Sequence, residues 1–334
     1  MTASEIISEL KNKKYRPVYL LTGEEPYYID QVTEYIISNV LTPEEKAFNQ
    51  TVFYGKDTDS VTVITAARRF PMMAENQLIV VREAQQMKDI DTLAVYAEHP
   101  LKSTILVINF KYSTYDKRKK LFKVVQKSGG AILESSRLYE NKIPDWITSW
   151  LKSRNSSIEP SAAMMLVEYL GTDLGKIANE LEKLILSLPE NDRRITPLII
   201  ERNIGISKDY NNFELQKALG QKNILKANRI INYFEKNPKQ NPFSLTIVSL
   251  FSYFSKIFTL HLIKDKSGKN LASALKINPY FVSEYQLAAK KYDARRTAII
   301  ISWLREYDMR SKGFGNSSAS DGDLLKELVY KILH

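Results

Sequence analysis

The sequence contains no cysteine and only three histidines in 334 residues, and both shortages exclude kinds of chemistry. A chain without cysteine has no disulfide framework, no thiolate metal ligand and no cysteine nucleophile, and it suits a reducing cytoplasm. His99, His261 and His334 lie far apart in the sequence, and none has a second histidine at the spacing of a helical metal site. We therefore expect a cytoplasmic chain with no metal centre and no cofactor.

Catalytic motifs and an uninterrupted apolar segment are also missing. No Gly-x-Ser-x-Gly elbow occurs, so the sequence has no hydrolase signature of that type. The most apolar stretch, residues 243–263, is long enough to span a bilayer, but it contains Lys256, His261 and several hydroxyl side chains. This pattern favours a buried helix with one solvated edge. We expect no membrane contact and no intrinsic catalytic activity.

The charge of the chain is unevenly distributed. The formal net charge is +10, and residues 209–334 hold 20 Lys and Arg against 11 Asp and Glu, whereas residues 1–208 hold 28 against 27. A basic C-terminal third favours contact with DNA or with an acidic protein surface. A lysine-rich solvated face is the commoner explanation of the same pattern, and both interpretations stay open here.

Length and hydrophobic patterning predict the domain organisation. With 44% hydrophobic and 26% charged residues, the chain can bury two or three cores. Short apolar runs alternate with helical patterns over residues 1–140, which predicts a parallel sheet covered on both faces. From residue 144 the pattern becomes wholly helical. We predict an α/β domain at 1–140, a small helical lid at 141–208 and an all-α collar at 209–334.

Two turns of the predicted sheet depart from the requirements of a nucleotide site. The turn after the first strand, where phosphates normally bind, offers Gly23, Glu24 and Glu25 instead of several glycines and a lysine. Its carboxylates would repel a nucleotide, although they also suit the positive N-terminus of the next helix. Arg82 and Glu83 follow the strand predicted at 78–81, in place of an acidic metal-holding pair. The sequence thus predicts a degenerate site.

The segment before that strand carries large apolar side chains near a turn. Phe70, Pro71, Met72 and Met73 follow two arginines, and the proline disrupts regular structure. Methionine is flexible, which suits a side chain that fills a pocket of another protein. Taken alone, the segment is more typical of residues that close the local core.

Five short motifs resemble those of the delta subunit of the bacterial DNA polymerase III clamp loader. In order, they occupy residues 18–26, 70–82, 116–121, 179–184 and 308–312. Their order and spacing span essentially the whole chain. The resemblance implies an AAA+-like (P-loop NTPase type) parallel sheet domain, a small helical lid domain and an all-α C-terminal collar domain that serves oligomerisation.

The same resemblance implies a function. Such a subunit binds the ring-shaped sliding clamp and opens it, or holds it open, for loading onto primed DNA without hydrolysing ATP itself. Its partners would be the clamp, the clamp-loader ATPase subunits, a delta-prime-like subunit and, as a further contact, DNA. The family is formally grouped with DNA-directed DNA polymerase as a holoenzyme subunit.

The resemblance also assigns roles to residues. The apolar pair that enters the clamp corresponds to Met72 and Met73, with Pro71 presenting them and Phe70 beside them, where a core-facing orientation stays open for Phe70. The family often has a leucine and then an aromatic residue at this pair. Two alternatives remain: an active AAA+ ATPase with an unorthodox nucleotide site, and a DNA-binding accessory protein acting through the basic C-terminal domain.

Overall fold

The computed structural model describes residues 1–189, 192–205, 207–316 and 318–334. These residues form two compact units, Met1–Leu138 and Tyr139–His334. The predicted boundary of the α/β domain at residue 140 stays a prediction. The further division of the second unit into a lid and a collar at residue 208 stays a prediction.

The first unit is built on a five-stranded sheet in which every pairing is parallel. The strands are β1 (Val18–Gly23), β2 (Gln50–Tyr54), β3 (Gln77–Arg82), β4 (Thr104–Lys111) and β5 (Ala131–Ser135), and their order in the sheet is β2-β3-β4-β1-β5. The helices are α1 (Ala3–Lys11), α2 (Pro26–Asn39), α3 (Pro43–Asn49), α4 (Ser60–Ala67), α5 (Ala94–Ala97) and α6 (Lys120–Lys127). The predicted α/β class with a parallel sheet is confirmed.

The central strands are apolar throughout because both faces of the sheet are covered. Val18 and Leu20 of β1 pack into one cluster with α4, α5 and α6, whereas Tyr19 and Leu21 pack into a second cluster with α1 and α2. This alternation follows the two-residue period of a strand. One element of this unit, α3, was not predicted; it begins at a capping box in which Thr42 accepts from the Glu45 amide.

In its described residues, the second unit is built of helices and one short pair of strands. Its helices are α7 (Ile143–Lys152), α8 (Pro160–Leu170), α9 (Leu174–Ser187), α10 (Pro197–Ile204), α11 (Asn212–Gly220), α12 (Ile224–Lys236), α13 (Phe243–Leu262), α14 (Gly268–Leu275), α15 (Val282–Lys291), α16 (Ala294–Ser311) and α17 (Asp321–Leu333). The strands β6 (Ser157–Ile158) and β7 (Arg194–Ile195) pair in parallel. The prediction of a wholly helical region is therefore wrong at this pair, because two residues are too few to show a strand period.

Helix α13 is the central helix of the second unit. By length and composition alone it could cross a membrane, but Ile247, Leu250, Phe254 and Ile257 are buried in the core of the unit, where α13 packs against α16. The opposite edge of α13 is exposed and includes Val248. The arrangement agrees with the prediction of a buried helix with one solvated edge.

Candidate functional site

The apolar tip, defined as Phe70, Pro71, Met72 and Met73, projects from the first unit into solvent. The exposed fraction is 77% for Phe70 and 63% for Met72, and Met73 is fully exposed. Pro71 is half-buried. The alternative in which these residues close the local core is wrong, and this holds for Phe70 as well.

The backbone of the tip is held by Asn49, the last residue of α3. The Met72 amide donates to Asn49 Oδ1 at 2.6 Å, and Asn49 Nδ2 donates to the Met72 carbonyl oxygen at 2.9 Å. Asn49 is only 4% exposed, and its Nδ2 also donates to the Glu45 carbonyl oxygen within α3. Paired bonds from one rigid, buried side chain fix the position of Met72.

The connection that leads into the tip is held by Gln77, the first residue of β3. The buried Gln77 side-chain amide donates to the carbonyl oxygens of Ala67, the last residue of α4, and of Arg69, two residues beyond it. The hydroxyl of Thr104 in β4 also donates to the Ala67 carbonyl. These bonds satisfy carbonyl groups that the end of a helix leaves without partners. The two ends of the segment are thereby tied to the sheet.

Met73 has an unusual backbone conformation for its residue type. Its φ angle is 52°, in the left-handed region that non-glycine residues rarely adopt. Such conformations persist where neighbouring contacts determine the backbone, and they concentrate at functional positions. Arg68 and Arg69 are exposed beside the tip, so its apolar side chains have a cationic flank.

The turn after β1 is closed by backbone from β5. The φ angle of Gly23 is 147°, and a Cβ atom there would lie 1.9 Å from the Ser135 carbonyl oxygen. Ser135 Oγ donates to the Glu25 carbonyl oxygen at 2.7 Å, and the Glu25 amide donates to the Ser135 carbonyl oxygen at 3.2 Å. Because the Glu25 amide is already bonded, it is not available to cradle a phosphate in this conformation.

The two glutamates of this turn differ in environment. Glu25 is buried and caps α2, where its Oε1 accepts from the Tyr27 amide at 3.0 Å. Glu24 is exposed. The interpretation in which a carboxylate stabilises the helix N-terminus is thus confirmed for Glu25. A negative side chain occupies the place where the helix would otherwise favour a phosphate.

Arg82 and Glu83 lie at the same sheet edge as Gly23, because β1 and β3 run parallel on either side of β4. Arg82 Nη2 lies 2.7 Å from Glu34 Oε1 on α2. Glu83 adopts a left-handed backbone conformation, and its carboxylate accepts from Gln86 Nε2 at 2.9 Å. Across the described ranges, no group of three or more His, Asp or Glu side chains is placed to hold a metal ion.

The structure therefore brings the predicted residues together as two separate sites, the tip and the sheet edge. Sequence reasoning missed Asn49, Gln77 and Ser135, which position them. Gln77 carried a signal, since it is a polar residue at the start of an apolar strand. Asn49 and Ser135 carried none, because their partners are distant in the sequence.

Comparison with known proteins shows what the chain is similar to. A family model described as "DNA polymerase III, delta subunit" matches residues 19–134, which include both the tip and the turn after β1. The DNA polymerase III subunit delta of Bacillus subtilis (strain 168) is 26% identical over 97% of this chain and 94% of that protein. The chain is therefore similar to DNA polymerase III delta subunits, through the family model in its first unit and through the Bacillus subtilis protein over nearly its whole length. A solved structure described as the Bacillus subtilis DNA clamp loader delta protein (YqeN) matches this chain with a TM-score of 0.57 and 22% identity, over 99% of each chain, and this likeness supports the fold.

Proposed function

We propose that this chain is a delta subunit of a DNA polymerase III clamp loader and binds a sliding clamp through the apolar tip, with Met72 and Met73 entering an apolar pocket of the clamp. The observation that carries the proposal is the exposure of both side chains on a backbone held by Asn49. A preorganised segment loses little conformational entropy on binding. Burying a methionine side chain contributes about 1.5–3 kcal/mol, which is enough to make each a hot spot.

The chain would open the clamp by selective binding. A closed ring is in equilibrium with rare open forms. A protein that binds the open form more tightly raises the population of that form without hydrolysing ATP. ATP would be bound and hydrolysed by neighbouring ATPase subunits of the clamp loader, which also includes a delta-prime-like subunit. Residues 209–334 would form the helical collar that transmits their rearrangement, in an assembly located in the cytoplasm.

The closed turn after β1 supports the absence of ATP hydrolysis by this chain. At this turn a phosphate would need free backbone amides, but the Glu25 amide is bonded and the Glu25 carboxylate caps the helix. Magnesium would need an acidic pair after β3, where Arg82 instead pairs with Glu34. The subunit would therefore bind the clamp and would not hydrolyse ATP.

Clamp binding is tested by replacing both methionines. The Met72→Ala/Met73→Ala variant should bind the purified clamp of the same organism at least about thirtyfold more weakly in surface plasmon resonance, since one hot spot contributes roughly 2 kcal/mol. Met309→Ala is the matched control, because Met309 is 42% exposed in the second unit. Equal affinity of the double variant and the wild type, with intact folding, would remove the assignment.

DNA contact through residues 209–334 is a second candidate, favoured by their excess of nine positive charges. An electrostatic contact of this kind weakens steeply with salt. Fluorescence anisotropy of the full chain with primed DNA should give an affinity that falls as sodium chloride rises from low to physiological concentration. Absence of binding at low salt would exclude this contact.

A further inference from the structure

The second unit contains a partly open cavity of about 290 Å³ with aromatic walls. Tyr253 and Tyr285 form one wall, with ring centroids 5.1 Å apart, and Phe213 and Phe281 form another, also with centroids 5.1 Å apart. The volume lies at the lower end of the range for small-molecule sites, which is about 300–1,000 Å³. Flat apolar surfaces facing a cavity of this size suit a planar organic group.

Lys256 of α13 brings a positive charge to these walls. It lines the cavity one helical turn from Tyr253, and within the described ranges its ammonium group has no hydrogen-bond or ion-pair partner. Burial lowers the pKa of Lys256, while Glu140 acts in the opposite direction. A desolvated ammonium group without a fixed partner is expensive to maintain, and a bound anion would offset that cost.

The tyrosines add hydrogen-bond donors. Tyr253 and Tyr285 are both more than nine-tenths buried and line the cavity. Neither hydroxyl group has a hydrogen-bond partner in the part of the chain that the structure describes, so both can donate to a ligand. Burial raises the pKa of each hydroxyl, so both stay protonated and able to donate at neutral pH.

The other charged groups around the cavity leave Lys256 uncompensated. Lys217 and Glu284 form an ion pair with each other at 3.4 Å. Glu140 and Lys276 are exposed at the rim, where Lys276 Nζ lies 5.6 Å from the Tyr139 ring centroid. One rim charge of each sign has little net effect on a ligand bound at Lys256.

We propose that this cavity binds a small organic anion with a planar apolar body. The anionic group would accept hydrogen bonds from Lys256 and the tyrosine hydroxyls, and the planar body would lie against the aromatic walls. The competing interpretation is that the Lys256 stem covers apolar surface while its ammonium group contacts solvent, with no ligand involved. The two interpretations differ in what they predict for the charge of a bound molecule.

Three probes of one shape and different charge test the proposal on the full chain. They are naphthalene-2-carboxylate, the neutral 2-naphthylmethanol and the cationic 2-naphthylmethylammonium. In isothermal titration calorimetry and saturation-transfer NMR, the carboxylate should bind at least about tenfold more tightly than either analogue. A hydrogen bond to a charged group strengthens binding by at least this factor. Equal binding of the three probes, or no carboxylate binding at millimolar concentration, would overturn the proposal.

Variants locate the binding. Lys256→Met should weaken carboxylate binding about tenfold or more, whereas Lys256→Arg should preserve most of it because the charge is kept. Lys264→Met is the control, as Lys264 is exposed just beyond α13 and does not line the cavity. Thermal unfolding measures whether each variant folds. Carboxylate binding that survives in a folded Lys256→Met variant, or is lost equally in Lys264→Met, contradicts the assignment.

Discussion

Asn49 bonds both the amide and the carbonyl group of Met72, across 23 residues of sequence. This contact makes α3 a support for the apolar tip, so the exposed methionine side chains stand on a backbone that is not free to move. Asn49 is only 4% exposed and so offers almost no surface to a partner. Its contribution to binding would be entirely through the position of Met72.

Replacing Asn49 should therefore loosen the tip without removing any contact surface. We expect Asn49→Ala to speed hydrogen exchange at the Met72 amide and to weaken clamp binding about fivefold to tenfold, since about 1 kcal/mol of ordering is then lost on binding. Asn39→Ala is the control, because Asn39 makes a comparable local bond to the Tyr35 carbonyl at the end of α2. Unchanged exchange at Met72 would show that Asn49 does not hold the tip.

Gly23 should tolerate no side chain. Gly23→Ala would press Cβ against the Ser135 carbonyl group, which is backbone and cannot move aside, and we expect a loss of about 3 kcal/mol in the free energy of unfolding. Gly129→Ala is the control, since Gly129 also has a positive φ angle, of 78°, but open space around it. Gly129→Ala should lose about 1 kcal/mol, from backbone strain alone. Similar urea midpoints for the two variants would contradict a clash at Ser135.

Nucleotide binding gives a direct test of the closed turn. Titration of the isolated chain with Mg-ATP in a calorimeter should show no binding at concentrations that saturate an ordinary ATPase, because Glu25 occupies the helix N-terminus. The result separates the proposed function from an ATPase with unorthodox ligands. Saturable micromolar binding would favour the ATPase.

Glu168 of α8 should stabilise the second unit by capping α11. Its carboxylate oxygens accept from the amides of Asn212 and Phe213 at 2.9 and 3.1 Å. We expect Glu168→Ala to lower the free energy of unfolding by about 2 kcal/mol, since two helix-terminal amides lose their partners. Glu182→Ala, at an exposed position of α9, is the control and should change stability little.

Glu168 should also make the free energy of unfolding depend on pH. Burial raises the pKa of Glu168 above its ordinary value of 4.5, so the folded state binds this proton more tightly than the unfolded state does. The stability from this linkage is fully present below the unfolded pKa and is lost as pH rises through the folded pKa. The advantage of wild type over Glu168→Ala should therefore shrink from about pH 4 towards neutral, as measured by urea unfolding at several pH values. A difference that grows with pH would contradict the raised pKa.

The sequence by itself determined the strands and most of the helices of the first unit, but not α3, together with the composition of its sites. The apolar runs around Leu20 and Val80 required a sheet buried on both faces, and the residues of the β1 turn excluded a standard phosphate loop. Strand and helix periods are local properties, which is why they can be read from neighbouring residues. The pairing of Ser157–Ile158 with Arg194–Ile195 was missed because segments this short show no period.

Only the tertiary structure decided how the sites are held. Whether Phe70 faces the core or solvent depends on which residues pack against it. The local sequence does not determine those residues. Asn49 reaches Met72 over 23 residues, and Ser135 reaches Glu25 over 110. Such contacts form when the folded sheet brings distant segments together, so no local pattern records them. The apolar residues of the tip could be identified from the sequence. Their exposure on a backbone held by Asn49 depends on the folded structure.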